Sequence, residues 1–287
     1  MLDRSNKILI VDGMALLFRG YYAQAYPRRL PDGTPTNAIF GFMQYLFDAV
    51  GTFGPTHVVA CWDMGSKTFR SELYEGYKAN RPDAPADLVP QFGLVKDLVA
   101  ALGIPNVGVP GFEADDCIGT LSRKLSEEGR VYILSADQDL LQLMDDRIHV
   151  VLMKKGRSHY RVYDPESLRT EKGLAPHQIV ELKGLTGDAS DNYPGVKGIG
   201  EKTAIKLLTE YGSVDGILEN LPALSASVRA KIESDLDMLH LSRTLAQIRL
   251  DVPIECPLGE CVWRASSEEA HPVFEKFRLH SLLKMIG

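Results

Sequence analysis

"KILIVDG" (7–13) is an apolar run closed by an acid and a glycine, and its reading decides the fold. Four consecutive apolar residues, Ile8 to Val11, suit a strand buried on both faces, and Asp12-Gly13 suits the loop into which it opens. The pattern returns twice. "THVVACWDM" (56–64) ends in Asp63, and "RVYILSADQDL" (130–140) ends in Asp137 and Asp139. Helix-like stretches over 37–50, 87–102 and 114–128 lie between them. Strands alternating with helices predict an α/β fold with a mostly parallel central sheet flanked by helices. Ligands of such sheets bind at the carboxyl ends of the strands, which is where these acids fall.

After about residue 173 the pattern changes. "APHQIVELKGLTG", "GEKTAIKLLTEYG" and "SVRAKIESDLDMLHLSRTLAQI" read as short helices, several closed by Gly or Pro. The expected organisation is an α/β core over 1–173 and a helical region over 174–287. Within the core, 66–92 mixes basic and aromatic residues with prolines at 82, 85 and 90, which predicts a loop or partly helical lid.

Composition narrows the class. At 287 residues with 45% hydrophobic and 24% charged content, the chain suits an ordinary soluble globular protein. No apolar run approaches the roughly 18–20 residues of a membrane span. "MLDRSNKILIVDG" lacks the apolar region and cleavage site of a secretory signal. Cys61, Cys117, Cys256 and Cys261 form no disulfide framework, and Cys256 and Cys261 have no second half for a zinc site. A reduced, cytoplasmic protein is the expectation. Net charge is −6, which by itself argues against a nucleic-acid partner.

The distribution of acids argues otherwise. "GFEADDCIGTL" (111–121) sets Glu113, Asp115 and Asp116 within four residues at the start of a helix that otherwise reads as buried. Like charges so placed are costly unless a cation compensates them. "LTGDASDNYPG" (185–195) adds Asp188 and Asp191. Asp12, Asp63, Glu113, Asp115, Asp116, Asp137, Asp139, Asp188 and Asp191 thus come from five segments and converge on one end of the sheet. Helical periodicity puts Glu113 and Asp116 on one face and Asp115 elsewhere, so the set must draw on the bend before the helix or span its start. Each acid alone could be a cap or turn residue; together they point to hard divalent cations, Mg²⁺ or Mn²⁺. Two such ions roughly 3.5–4 Å apart suit phosphodiester hydrolysis. Without the nine, the rest of the chain carries +3. No P-loop or G-x-S-x-G elbow competes.

"YPGVKGIGEKTAIKLL" (193–208) places Gly195, Gly198 and Gly200 ahead of a helix bearing Lys202, Thr203 and Lys206, with Lys197 inside the turn. Such a turn and helix start can face a phosphate without reading bases. "FRSELYEGYKANRP" (69–82) offers Arg70, Tyr77, Lys78 and Arg81, which suit phosphate neutralisation and base stacking.

Taken together and in order, "ILIVDG", "FEADD", "YKANRP", "SADQDL" and "GDASDNYPGVKGIGEKTA" resemble the 5′-nuclease family. That family includes the N-terminal 5′→3′ exonuclease domain of bacterial DNA polymerase I, bacteriophage 5′ nucleases and flap endonucleases. The resemblance covers nearly the whole chain. It implies a PIN-like core, a helical arch near 66–92 and a helix–three-turn–helix at about 185–210. It also implies one Mg²⁺ held by Asp63, Glu113, Asp115 and Asp116, with Asp12 through water, and a second held by Asp137, Asp139, Asp188 and Asp191. Lys78 and Arg81 would clamp the scissile phosphate and Tyr77 would stack near a terminal base. The turn at 195–200 would bind duplex backbone and a monovalent cation, K⁺ or Na⁺. "SADQDL" departs from relatives, which usually have Gly and Lys at Ala136 and Gln138.

The expected function is structure-specific, metal-dependent hydrolysis of DNA at 5′ ends and 5′-flap junctions, removing flaps or RNA primers in replication and repair. Removal of Asp116 is expected to abolish cleavage while duplex binding survives. A non-cutting DNA-binding module and a related metal-dependent RNase are the rival readings. The sequence indicates no fixed protein partner, and a monomer is expected.

Overall fold

The computed structural model describes residues 6–24, 26–264 and 267–285. Six strands form one sheet in the order β3-β2-β1-β4-β5-β6, namely β1 (Lys7–Asp12), β2 (His57–Cys61), β3 (Asn106–Val107), β4 (Arg130–Ser135), β5 (Ile148–Met153) and β6 (Tyr160–Tyr163). All neighbours are parallel except β5 and β6. The three strands expected from sequence are β1, β2 and β4, at the centre. The expected helices are α2 (Asn37–Phe53), α4 (Gln91–Ala101) and α5 (Ala114–Leu125); α1 (Gly13–Ala23) and the five-residue α3 (Phe69–Leu73) complete the first half.

The continuous apolar run of β1 is explained by covering on both sides. Ile8 and Ile10 face one cluster with Ile118, Leu121 and the C-terminal helices, while Leu9 and Val11 face α1, α2 and α4. All four have no exposed surface, and such side chains contribute about 1.5–3 kcal/mol each by leaving water.

Strand order reverses at β1: the chain runs outward through β2 and β3, then returns to place β4 on the other side. The carboxyl ends of β1 and β4 therefore flank a crevice at the topological switch point. Asp12 ends β1, and Ser135 ends β4 just before Asp137 and Asp139.

Beyond 164 the regular elements among the described residues are helices, with α6 (Pro165–Lys172), α7 (Gln178–Thr186), α8 (Glu201–Tyr211), α9 (Val214–Glu219), α10 (Ala226–Ser234), α11 (Leu236–Ala246) and α12 (Ser267–Lys276). They pack on the α5 face of the sheet, except α12, whose Ala270 and Phe274 join the opposite cluster. The segment 66–92 folds as a strap: α3, then turns, with prolines that lack the amide a longer helix would need.

Candidate active site

A cavity of about 770 Å³ opens over the carboxyl ends of β1, β2 and β4. Nine acids line it, Asp12, Asp63, Glu113, Asp115, Asp137, Asp139, Asp188, Asp191 and Glu201, against four cations, Lys78, Arg81, Lys172 and Lys183. Eight of the nine acids expected from sequence are thus brought together, and Asp116 is not.

Local structure fixes each carboxylate. Asp12 caps α1, accepting from the Ala15 amide at 3.0 Å and from Ser135 Oγ at 2.6 Å. Asp63 accepts from the Ala114 amide at 2.7 Å, at the start of α5. Glu113 is the residue before that helix, with extended backbone, so it does not follow the helix periodicity. This puts Glu113 and Asp115 on the cavity and turns Asp116 inward. Asp137 accepts from the Asp139 amide, a tight turn that aims two acids from one loop.

The electrostatics show a surplus of negative charge. Burial pushes the Asp12 carboxyl up to about 6, aided by Asp63 and Asp137. Burial and Asp137 likewise push Asp139 up to about 6, against the pull of Lys183. Asp115 is raised well above the usual range by burial, Asp137 and Asp12. Asp188 differs: burial raises it, but Lys183 and the amides of Ser190 and Asp191 outweigh this and hold it low.

Three of the cations are drawn onto acids. Lys78 Nζ lies 2.6 Å from Glu113 and 3.8 Å from Asp191. Arg81 lies 2.5 Å from Asp191. Lys183 lies 2.7 Å from Asp139 and also pairs with Asp188. Burial disfavours the Lys78 and Lys183 ammonium groups, but their acids outweigh it and raise both pKa values. Among the described residues no three acids enclose a single point at ligand spacing, and these cationic heads lie among them. All-oxygen donors in excess over cations fit hard divalent ions.

The strap is bolted across the cavity mouth. The Lys78 amide donates to Asp191 O at 2.8 Å, Asn80 to Ala189 O at 2.9 Å and Asn192 to Gly76 O at 2.7 Å. Lys78 itself holds a left-handed backbone, φ 57°, which turns its side chain back toward Glu113.

Three expectations need correction. Asp116, fully buried, forms a two-pronged pair with Arg70 at 2.7 and 2.8 Å and accepts from the Glu113 and Arg249 amides. It is a buried anchor with no face on the cavity, so it is not placed to ligate metal. Arg70, 2% exposed, also donates to Leu245 O and Gln247 O, so its guanidinium cannot reach DNA. Tyr77, 7% exposed, stacks on Tyr193 at 6.4 Å and donates its hydroxyl to Glu113 and Asp191. That single proton is shared between the two carboxylates, and the ring is not free for a base.

The glycine turn begins where the acids end. Gly187 and Gly195, at φ 69° and 61°, pack backbone to backbone; a Cβ on either would fall 2.2–2.3 Å from the other strand of the turn. Asp188 and Tyr193 pair through two backbone bonds between them. Gly198 has φ 80° and Gly200 caps α8. Lys197, Lys202 and Lys206 are exposed, and Thr203 is half-buried. Sequence reasoning missed Lys183, Lys172, Glu201, Ser135 and Phe18 on or beside the cavity. A lysine near a helix end normally reads as solvated, and nothing local marks Lys183 otherwise.

The fold and this acid-lined crevice define a class. Residues 7–173 match the family model described as 5'-3' exonuclease, N-terminal resolvase-like domain, and residues 174–269 match 5'-3' exonuclease, C-terminal SAM fold. The chain belongs to the 5'-3' exonuclease family. It is similar to the 5'-3' exonuclease of Bacillus subtilis (strain 168), at 47% identity over 285 residues, covering 98% of this chain and 96% of that one. It is 40% identical over 290 residues to the thermostable DNA polymerase I of Thermus aquaticus, covering 100% of this chain and 34% of the polymerase. Among solved structures, T5 5'-exonuclease with divalent metal ions (zinc) bound aligns at a TM-score of 0.69 and 22% identity, covering 98% and 100% of the two chains. The catalytic core of Rad2 in complex with DNA substrate aligns at 0.63 and 17%, covering 99% and 92%. These two likenesses concern the fold. No helix among the described residues is long and apolar enough to cross a membrane.

Proposed function

We propose that the chain is a structure-specific 5′ nuclease acting on DNA, hydrolysing phosphodiester bonds at 5′ ends and 5′-flap junctions in flap and RNA-primer removal. The observation that carries this is the convergence of nine acids from both halves of the chain on one switch-point crevice. Asp12, Asp63, Glu113 and Asp115 would hold one Mg²⁺ and Asp137, Asp139, Asp188 and Asp191 a second, with Mn²⁺ able to replace either. Bound there, two such ions supply charge stabilisation to the attacking and leaving oxygens of an in-line displacement.

The chain's own residues do the rest. Lys78 and Arg81, paired here with Glu113 and Asp191, would face a scissile phosphate once those acids held metal and would stabilise its developing charge. Tyr77 keeps Glu113 and Asp191 aimed. The labour is divided: the α/β part to 173 carries most acids, and the helical part grips duplex backbone through the 195–200 turn, Lys197, Lys202, Thr203 and Lys206. Carbonyls of that turn are the proposed seat of a monovalent cation, K⁺ or Na⁺. Four free, buried thiols accord with a cytoplasmic site of action.

The test is cleavage of a 5′-labelled flap duplex with Mg²⁺, with Mn²⁺ and with chelator. Metal-dependent product at the junction is expected. Flap binding without cleavage in either metal would instead establish a binding module, and preference for free single-stranded RNA would establish an RNase.

A further inference from the structure

Of the four cations that line the cavity, Lys78, Arg81 and Lys183 are engaged by carboxylates. Lys172 differs. The last residue of α6, half-buried, it donates from Nζ to Gln138 Oε1 at 2.8 Å, and among the described residues no acid pairs with it. A side-chain amide orients an ammonium without neutralising it. One of three donors is used, and two remain.

Position makes this selective. Gln138 lies between Asp137 and Asp139 on the turn after β4, so the free charge stands at the rim of the acidic crevice. The surplus of acids repels a small free anion from that rim. An anion tethered to other gripped phosphates does not face this penalty alone. Glu201, on the same cavity, begins α8, which also carries the exposed Lys202 and Lys206. A strand crossing the 136–139 turn toward α8 would meet Lys172 on its way.

We propose that Lys172, oriented by Gln138, is a phosphate-binding subsite at the rim of the crevice for the backbone of the nucleic-acid strand engaged there. The proposal rests on the nuclease reading and deepens it.

The test is fluorescence anisotropy of a labelled 5′-flap duplex against the full chain in chelator, across a range of KCl concentrations. Lys172→Gln is expected to lower the slope of log affinity against log salt by about 0.9. That slope corresponds to roughly eightfold weaker binding near 0.1 M salt. Lys172→Arg keeps the charge and is expected to restore the slope. Lys172 also ends a helix, where a cation stabilises the last turn. A lowered melting temperature with an unchanged slope in Lys172→Gln would assign it that role and overturn the subsite. If the unsubstituted protein neither binds the flap in chelator nor cleaves it in Mg²⁺ or Mn²⁺, the nuclease reading falls and the subsite with it.

Discussion

Lys183 stands between Asp139 and Asp188, its ammonium 2.7 Å from the first and paired with the second. One cation thereby serves two carboxylates that come from different halves of the chain. On the proposed metal assignment, an ion held by Asp139 and Asp188 would take the place of this ammonium. Lys183→Met is expected to tighten Mn²⁺ binding at this side by at least about tenfold, about 1.4 kcal/mol. Electron paramagnetic resonance titration of free Mn²⁺ reads this directly. Unchanged or weaker binding would show that Lys183 supports the ion's ligands and does not compete with it.

Asp115 and Asp116, neighbours in sequence, should respond oppositely to neutralisation. Asp116→Ala takes from the buried Arg70 guanidinium its two-pronged partner, leaving Glu113 at 3.2 Å as its remaining acid, and is expected to cost about 3 kcal/mol. Asp115→Asn relieves repulsion from Asp137 and Asp12 and should stabilise the metal-free protein while weakening its metal binding. Urea unfolding in chelator separates them; equal losses would contradict the assignment of Asp116 as anchor.

The pH dependence follows from Asp12 and Asp139, each raised to about 6. Between about pH 4 and 6 the folded carboxyls hold protons that the unfolded chain has released. Folding therefore takes up protons, and metal-free stability falls as pH rises through that window, then levels. Divalent ions need the ionised acids, so their affinity should fall as pH drops below 6. Thermal melts of the metal-free protein check the first, and calorimetric titration in buffers of different ionisation heat counts the protons for the second. Asp139→Asn should flatten the melting curve's pH dependence.

Gly195 permits a backbone approach that a side chain would block. With φ 61° and a Cβ that would sit 2.2 Å from the Gly187 amide nitrogen, Gly195→Ala should cost more than the about 1–2 kcal/mol of a left-handed residue alone. Gly200, with open space around it and φ −91°, should tolerate alanine within about 1 kcal/mol. Chemical denaturation of the pair decides whether the close approach matters.

The parts of this protein legible in its sequence are those governed by local pattern. β1, β2 and β4 declared themselves because four or more apolar residues precede an acid, and an acid at a strand's end has a known address in a parallel sheet. The two residues of β3 carry no pattern, and β6, "YRVY", has too little burial to stand out. Helical periodicity separates Glu113 from Asp115, and the bend expected before the helix reunites them, because Glu113 caps the helix and does not lie in it. Asp116 and Arg70 are 46 positions apart, and each alone resembles a surface charge. Their pairing, like that of Lys183 with Asp139, exists only after the chain has folded back on itself.

Arg70 takes its carbonyl acceptors from Leu245 and Gln247, and the crevice takes Asp188 and Asp191 from beyond α7. A chain emerging from the ribosome delivers its last strand, β6, before Asp188, Asp191, Leu245 or Gln247. Until they arrive, two carboxylates of the crevice are missing and the strap has nothing to fasten to at 189–192. The order of synthesis therefore makes the crevice one of the last parts of the molecule to be completed.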